Sequence, residues 1–338
     1  MLGWSDQELC DAHDLVMLDL DGVVYVGGAA VPRAAESIEV ARRRGMHPAF
    51  ITNNASRPPQ QVAQHLTDLG VRAEVADVVT SAQAAARVLA QRLPDGARVV
   101  LLGAEGLEQA LRAEGLEPVG VEDEAEAVVS GYGPDVLWRD VMRAAVRIRD
   151  GLWWVASNTD MSIPTPYGTA PGHGVLVETL RRFSGVDPVV AGKPERPLLE
   201  ETVRRVGGER PLMVGDRLDT DIEGAVGLGI PSLLVRTGVS GLPDLVAAHE
   251  GERPTYLAAD LGGLLTPHPR VEEVDGAWQC RGWTARVADA ALQVRGGGDA
   301  DDWWRAVACA AWQHLDRTGF VVDVAGLQPP GDDVPAAR

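Results

Sequence analysis

Four short polar clusters in this chain stand where chemistry is most easily done. They are Asp19-Leu20-Asp21-Gly22, Thr52-Asn53-Asn54, Lys193 ahead of Pro194, and Gly215-Asp216 with Asp219 and Asp221. Three of them end an apolar run of the kind that forms a buried strand, and the other precedes a helical segment. An acidic residue leaving a strand is ordinarily a turn former. Four such clusters at the carboxyl ends of one parallel sheet read instead as a ligand site, because that is where open α/β sheets bind their ligands. Lys193 adds weight to this reading, since it is the only lysine among 338 residues and every other strongly basic side chain is arginine. A compact ammonium on a thin stem fits where a planar guanidinium does not.

The elements that must carry these clusters follow from hydrophobic patterning. Leu15-Val16-Met17-Leu18 reads as a fully buried strand, residues 34–44 as a helix, 48–52 as a strand and 59–69 as a helix. Strands near 77–80, 98–102, 127–130 and 152–156 alternate with helices over 81–92, 107–114 and 140–150. A loop rich in Pro and Gly covers 158–174 and leads into a helix over 175–184. Beyond Pro188, helix 197–206, strand 212–214, helix 220–227 and strand 232–235 repeat the opening style. Strand and helix in alternation predict an α/β fold with a doubly wound parallel sheet. The order of segments predicts a Rossmann-like core from residues 1–77 and 187–266, interrupted by an inserted α/β domain over 78–186. Residues 267–338 are a separate C-terminal α+β appendage holding five of the nine tryptophans, an apolar density that opposes disorder. Ser5 to Glu8 fits a capping box for a short first helix, and the end from Gln328 is expected to fray.

Composition narrows the partners. A net charge of −18 argues against nucleic acid, whose backbone requires a surplus of Lys and Arg. It also means that an anionic ligand must be held locally, by a cation or backbone amides. Cys10, Cys280 and Cys309 lack metal-ligand spacing and read as reduced structural thiols. With neither a signal peptide nor a membrane span in evidence, a cytoplasmic protein without membrane partners is expected. Gly103-Ala104-Glu105-Gly106 lacks the complete dinucleotide-binding spacing, which opposes a nicotinamide cofactor.

The order of the four clusters resembles the four motifs of the haloacid dehalogenase (HAD) superfamily of phosphatases. The insertion, with Ser157-Asn158-Thr159-Asp160 and Pro171-Gly172-His173-Gly174, is similar to the cap of the NagD-like and p-nitrophenylphosphatase-like branch. The likeness covers about residues 14–265. It implies a Mg²⁺-dependent phosphomonoester hydrolase acting on a small phosphorylated metabolite through a phospho-aspartate.

In that resemblance Asp19 is nucleophile and metal ligand, Asp216 a second carboxylate ligand, and Asp21 a ligand through its backbone carbonyl. The Asp21 side chain serves as acid for the leaving group and then as base for water. Aspartate at this position favours turnover, where a transport ATPase of the superfamily has threonine. Val23 departs from the common Asp-Gly-Thr version, a departure also found in the NagD-like branch. Thr52 and the backbone around Asn53 and Asn54 hold phosphoryl oxygens, and Lys193 pairs with Asp19 and the phosphate. Asp221 either holds metal-bound waters from a second shell or caps its own helix. Asn158 and Asp160 either touch the substrate and close the cap or brace a loop, and His173 either reaches a substrate hydroxyl or is incidental.

Such a cap with a C-terminal extension resembles glycerol 3-phosphate phosphatases, with phosphoglycolate, pyridoxal phosphate and sugar phosphates as alternatives. A different class, a catalytically quiet HAD scaffold whose tail binds a partner, has no need for both Asp19 and Asp21. The tail is expected to pack on the core or on a neighbouring subunit, which leaves a homo-oligomer open, and to contribute no catalytic group.

Lysine at residue 193 is directly testable. Lys193→Arg keeps the charge but widens the head group, and kcat/KM is expected to fall by the equivalent of about 2–4 kcal/mol. An unchanged kcat/KM would make Lys193 an incidental residue.

Overall fold

Apolar runs bounded by polar residues form buried parallel strands, because a strand covered on both faces needs no alternation. The computed structural model describes residues 1–165 and 168–331. The end expected to fray therefore lies, from residue 332, outside the described residues. The chain forms two compact units: Met1–Pro48 with Gly208–Arg338, and Ala49–Gly207. Both are α/β with parallel sheets, the class expected from the sequence.

In the first unit, strands Leu15–Leu18, Pro211–Gly215, Ser232–Val235 and Tyr256–Ala258 run side by side and parallel. Leu18 pairs with Val214, so the two chains leave the sheet at one level and Asp19 and Asp216 emerge as near neighbours. The N-terminus differs from expectation. Helix Leu9–Ala12 starts without a side-chain cap, and the Ser5 hydroxyl donates to the Gln7 carbonyl instead. Helix 220–227 is also replaced at its start, where Leu218–Ile222 forms a π turn before the α-helix Glu223–Leu228.

The C-terminal region contains four antiparallel strands: Glu272–Val274, Ala277–Cys280, Trp283–Ala288 and Ala291–Gly296. Helix Ala300–Thr318 follows, opened by Asp299, whose carboxylate accepts the Asp301 N–H. Its Trp304 and Trp312 share one apolar cluster with Leu234, Leu245 and Leu257 of the preceding region. Trp312 is fully buried and its indole N–H donates to the Leu245 carbonyl at 2.7 Å. Arg305, also buried, bonds Asp302 at 2.7 Å and the Leu257 carbonyl at 2.9 Å. The tail thus packs on its own unit through a shared core with internally paired charges.

In the second unit five strands run parallel, in the order Val189–Val190, Trp153–Ala156, Ala127–Ser130, Arg98–Leu102, Glu117–Val119. His47–Thr52 and Val78–Thr80 make a further parallel pair, matched Phe50 to Val78 and Thr52 to Thr80. The stretch 158–174, expected as loop, holds an antiparallel pair, Ser162–Thr165 with Gly168–Pro171. The following helix begins earlier than expected, at His173. Gly106 is a packing residue: a Cβ there would meet the Ala55 and Arg57 carbonyls at 2.7 Å.

All three cysteines are free and buried. Burial pushes Cys280 up to about 12 and Cys309 up to about 11, so both thiols stay protonated and unreactive. No helix among the described residues is long and apolar enough to cross a membrane.

Trp312→Ala removes a fully buried side chain of the cluster shared by the tail and the rest of its unit. It is expected to cost about 3–5 kcal/mol of unfolding free energy, read from urea denaturation.

Candidate active site

In the first unit the site begins with strand register. Asp19 follows Leu18 and donates its N–H to the Val214 carbonyl at 2.9 Å, extending the ladder by one residue. A tight turn follows, with Val24 and Tyr25 both donating to the Leu20 carbonyl. Gly22 adopts a left-handed φ of 84°, and a Cβ there would lie 2.4 Å from an Asp216 carboxylate oxygen. Only glycine combines that backbone conformation with such an approach.

The carboxylates of Asp19, Asp216 and Asp221 each place an oxygen within 4.8 Å of the other two. Asp216 and Asp221 are 1% exposed, while Asp21 is exposed and its side chain is not in this trio. Hard carboxylate oxygens gathered so closely match the donor set of a divalent cation such as Mg²⁺. Backbone amides support the trio: Val239 N–H donates to Asp216 Oδ2 at 2.7 Å, and Arg217 N–H donates to Asp221 Oδ2 at 3.1 Å. Two glycines permit it. A Cβ on Gly238 would fall 1.9 Å from Asp216 Oδ2, and one on Gly215 would fall 2.2 Å from the Asp221 Cβ.

Asp221, given an outer or capping role from the sequence, stands beside the other two carboxylates and accepts the N–H of Arg217 at the start of its own turn. The π turn over Leu218–Ile222 carries its side chain back toward the strand end. Spacing within an assumed α-helix could not have revealed this.

In the second unit the cluster after strand His47–Thr52 is built around Asn53. Its Oδ1 accepts the Lys193 N–H at 2.9 Å, and its Nδ2 donates to the Lys193 carbonyl at 3.0 Å and to Asp160 Oδ1 at 3.1 Å. Its own carbonyl accepts from Asn158 Nδ2 at 2.7 Å and from the Ser81 hydroxyl. Asn158 Oδ1 in turn accepts the Asp160 N–H at 3.1 Å, which makes Asn158 a loop brace. Thr52 Oγ1 accepts the Asn54 N–H, and Asn54 Oδ1 accepts from both N–H and hydroxyl of Ser56, so Asn54 turns its own loop. Lys193 is 2% exposed. Gly192 was missed in the sequence: a Cβ there would meet Asn53 Oδ1 and the Ser157 carbonyl at 2.7 Å.

His173 opens its helix with a ring 3% exposed, and its Nδ1 lies 2.8 Å from the Asn158 carbonyl. A carbonyl only accepts, so Nδ1 carries the proton and Nε2 is bare. Burial pushes the ring down to about 4. Asn53, Asn158, Asp160, His173 and the Lys193 backbone thus form one bonded cluster in the second unit, as Asp19, Asp216 and Asp221 do in the first.

Comparison with known proteins bears on both clusters. The haloacid dehalogenase-like hydrolase pattern matches residues 16–117, and the HAD-hydrolase-like pattern matches residues 190–264. The D-glycerol 3-phosphate phosphatase of Mycobacterium tuberculosis is 44% identical over 325 residues, covering 91% of this chain and 88% of that protein. A crystal structure of a glycerol phosphate phosphatase from the same organism, in complex with magnesium, superposes with a TM-score of 0.83 at 42% identity. That match covers 91% of this chain and 92% of the other. The 4-nitrophenylphosphatase of Thermotoga maritima gives a TM-score of 0.70 at 28% identity, over 76% of this chain and 97% of its own.

The buried imidazole generates a pH prediction. His173 titrates ordinarily at 6.5 but at about 4 when folded, so the unfolded chain binds the extra proton first. Its contribution is complete above pH 6.5 and is lost as pH falls toward 4, about 3 kcal/mol in all. His268, buried and also pushed down to about 4, adds a loss in the same window. Urea unfolding measured from pH 7 to 4 should show this decline, and His173→Gln should flatten it. An unaltered slope in His173→Gln would assign the loss to other groups.

Proposed function

We infer that this chain, which belongs to the haloacid dehalogenase-like hydrolases, removes the phosphate of glycerol 3-phosphate. It is a phosphoric monoester hydrolase, and its cofactor is Mg²⁺. The observation that carries the reading is the trio of Asp19, Asp216 and Asp221 gathered at the ends of two paired parallel strands. The substrate follows the relative that matches this chain through 91% of its length, whereas acid sugar phosphatases of Staphylococcus match about 74%.

Asp19, Asp216 and Asp221 would hold the cation, joined by the Asp21 carbonyl as the family resemblance implies. When bound, Mg²⁺ neutralises charge on the phosphate and the attacking carboxylate. An Asp19 oxygen attacks phosphorus, and the bond from phosphorus to the glycerol oxygen breaks. The Asp21 carboxylic acid gives that departing oxygen its proton. Asp21, now a carboxylate, takes a proton from water, whose oxygen attacks the phosphorus of phospho-Asp19. Inorganic phosphate leaves and Asp19 is regenerated. Lys193 and the Thr52 hydroxyl bind phosphoryl oxygens, and the ammonium offsets charge that develops in the transition state.

Asn53 serves through its backbone and by fixing Lys193. Asn158, Asp160 and His173 support that arrangement within the segment 78–186, which takes the part of a cap that selects the leaving group. Residues 1–77 with 187–266 form the catalytic core and 267–338 the accessory region. A protein of this kind works in the cytoplasm.

Asp19→Asn is expected to lower phosphate release from glycerol 3-phosphate with Mg²⁺ by about 10⁴-fold or more, with circular dichroism unchanged. Activity within tenfold of wild type would remove Asp19 as nucleophile. Among metabolites, kcat/KM should be highest for glycerol 3-phosphate. A higher value for phosphoglycolate, pyridoxal phosphate or a sugar phosphate would reassign the substrate.

A further inference from the structure

The segment that follows strand Ser232–Val235 has one end tied to the C-terminal helix and the other to the carboxylate trio. At its start, Arg236 donates through Nη2 to Asp301 Oδ1 at 2.9 Å, in the first turn of helix Ala300–Thr318. The same guanidinium stacks over the Trp304 ring, 4.5 Å from its centroid. Both partners of the ion pair are largely shielded, at 11% and 21% side-chain exposure. Arg305, one turn on, adds a second cation 3.8 Å from Asp301 and anchors the helix start to the Leu257 carbonyl.

The next four residues touch the metal-binding elements in succession. The Thr237 hydroxyl donates to the Gly22 carbonyl, holding the turn that carries Asp21. Gly238 lies flat against Asp216, whose Oδ2 accepts the Val239 N–H at 2.7 Å. Ser240 donates its N–H to the Asp216 carbonyl at 3.1 Å and accepts the Leu218 N–H on its hydroxyl at 3.1 Å. Three of these four residues thus meet Asp216, and the fourth holds the turn beside it.

We propose that the C-terminal region is a positioning device for the metal site, acting through Asp301, Trp304 and Arg236 on the segment 236–240. Arg236 and Asp301 touch no reacting atom. They fix the register from which the Val239 N–H and the Thr237 hydroxyl reach Asp216 and Gly22. This assigns the accessory region a part in catalysis that requires no catalytic group of its own, and it rests on the reading of Asp216 as a metal ligand.

The test measures Mg²⁺ binding to the full-length protein by titration calorimetry, beside the Mg²⁺ dependence of phosphate release. Asp301→Asn keeps the shape and removes the charge, and Arg236→Lys keeps the charge and removes the planar stack. Both are expected to weaken Mg²⁺ binding about tenfold or more, the usual scale for partners that orient a metal ligand, while Asp301→Glu recovers part of the loss. At saturating Mg²⁺, kcat should return close to the wild-type value. Asp216→Asn is the reference. If it binds Mg²⁺ as wild type does, the ligand reading fails. If it loses binding while Asp301→Asn and Arg236→Lys keep wild-type affinity and only melt earlier, the positioning role is overturned.

Discussion

Three carboxylates held within 4.8 Å of one another, two of them out of water, are the constraint on which the first unit depends. At that 4.8 Å separation each like-charged pair costs about 3 kcal/mol for an effective dielectric near 20. No run of apolar contacts removes this repulsion. A divalent cation removes it directly, and directed N–H groups lessen it. Those N–H groups come from Val239 and Arg217, two backbone positions on loops that leave adjacent parallel strands. A parallel sheet suits the purpose because all its strands end at one edge, so successive loops can turn their amides on a common point.

The same crowding explains the glycines. Gly22, Gly215 and Gly238 each lie so close to Asp216 or Asp221 that one methyl group would overlap a carboxylate. Their small size is a property of the site, not of the turns alone. Gly45 and Gly70, at positive φ as Gly22 is, have open space around the missing Cβ and answer only to backbone geometry. A glycine at the end of an element therefore carries two kinds of information, and only the packed structure separates them.

What could be read from the sequence was whatever side-chain type reports. Leu15-Val16-Met17-Leu18 ending in Asp19 announces a buried strand and a polar exit, and the solitary lysine marks itself. What could not be read was contributed by backbone. The amides of residues 236–240 leave no chemical signature, and the segment Thr237-Gly238-Val239-Ser240 looks like an ordinary turn. The π turn around Asp221 was also hidden, because its extra residue per turn has no pattern in side-chain periodicity. The strand pair within 158–174 was hidden by Pro and Gly, and the four-stranded tail by short strands with few β-branched residues. Conversely, the tryptophans of the tail did report a packed region, since apolar surface of that size must be covered.

Asn53 shows why a particular residue type belongs in the second unit. It meets both the N–H and the C=O of Lys193, which requires one acceptor and one donor on a single planar group. Asparagine has both. Aspartate would accept the N–H but leave the Lys193 carbonyl facing a negative oxygen, and threonine or serine has one oxygen for two tasks. The second amide hydrogen continues to Asp160, and the Asn53 carbonyl receives Asn158, so one residue orders three segments distant in sequence. Gly192 lets Lys193 approach closely enough for this, since any side chain there would strike the acceptor oxygen. The two bonds fix the backbone of Lys193, and its burial at 2% exposure limits the freedom of the long side chain. The type of residue 53 and the absence of a side chain at residue 192 are therefore two aspects of one requirement, a backbone held from both sides at Lys193.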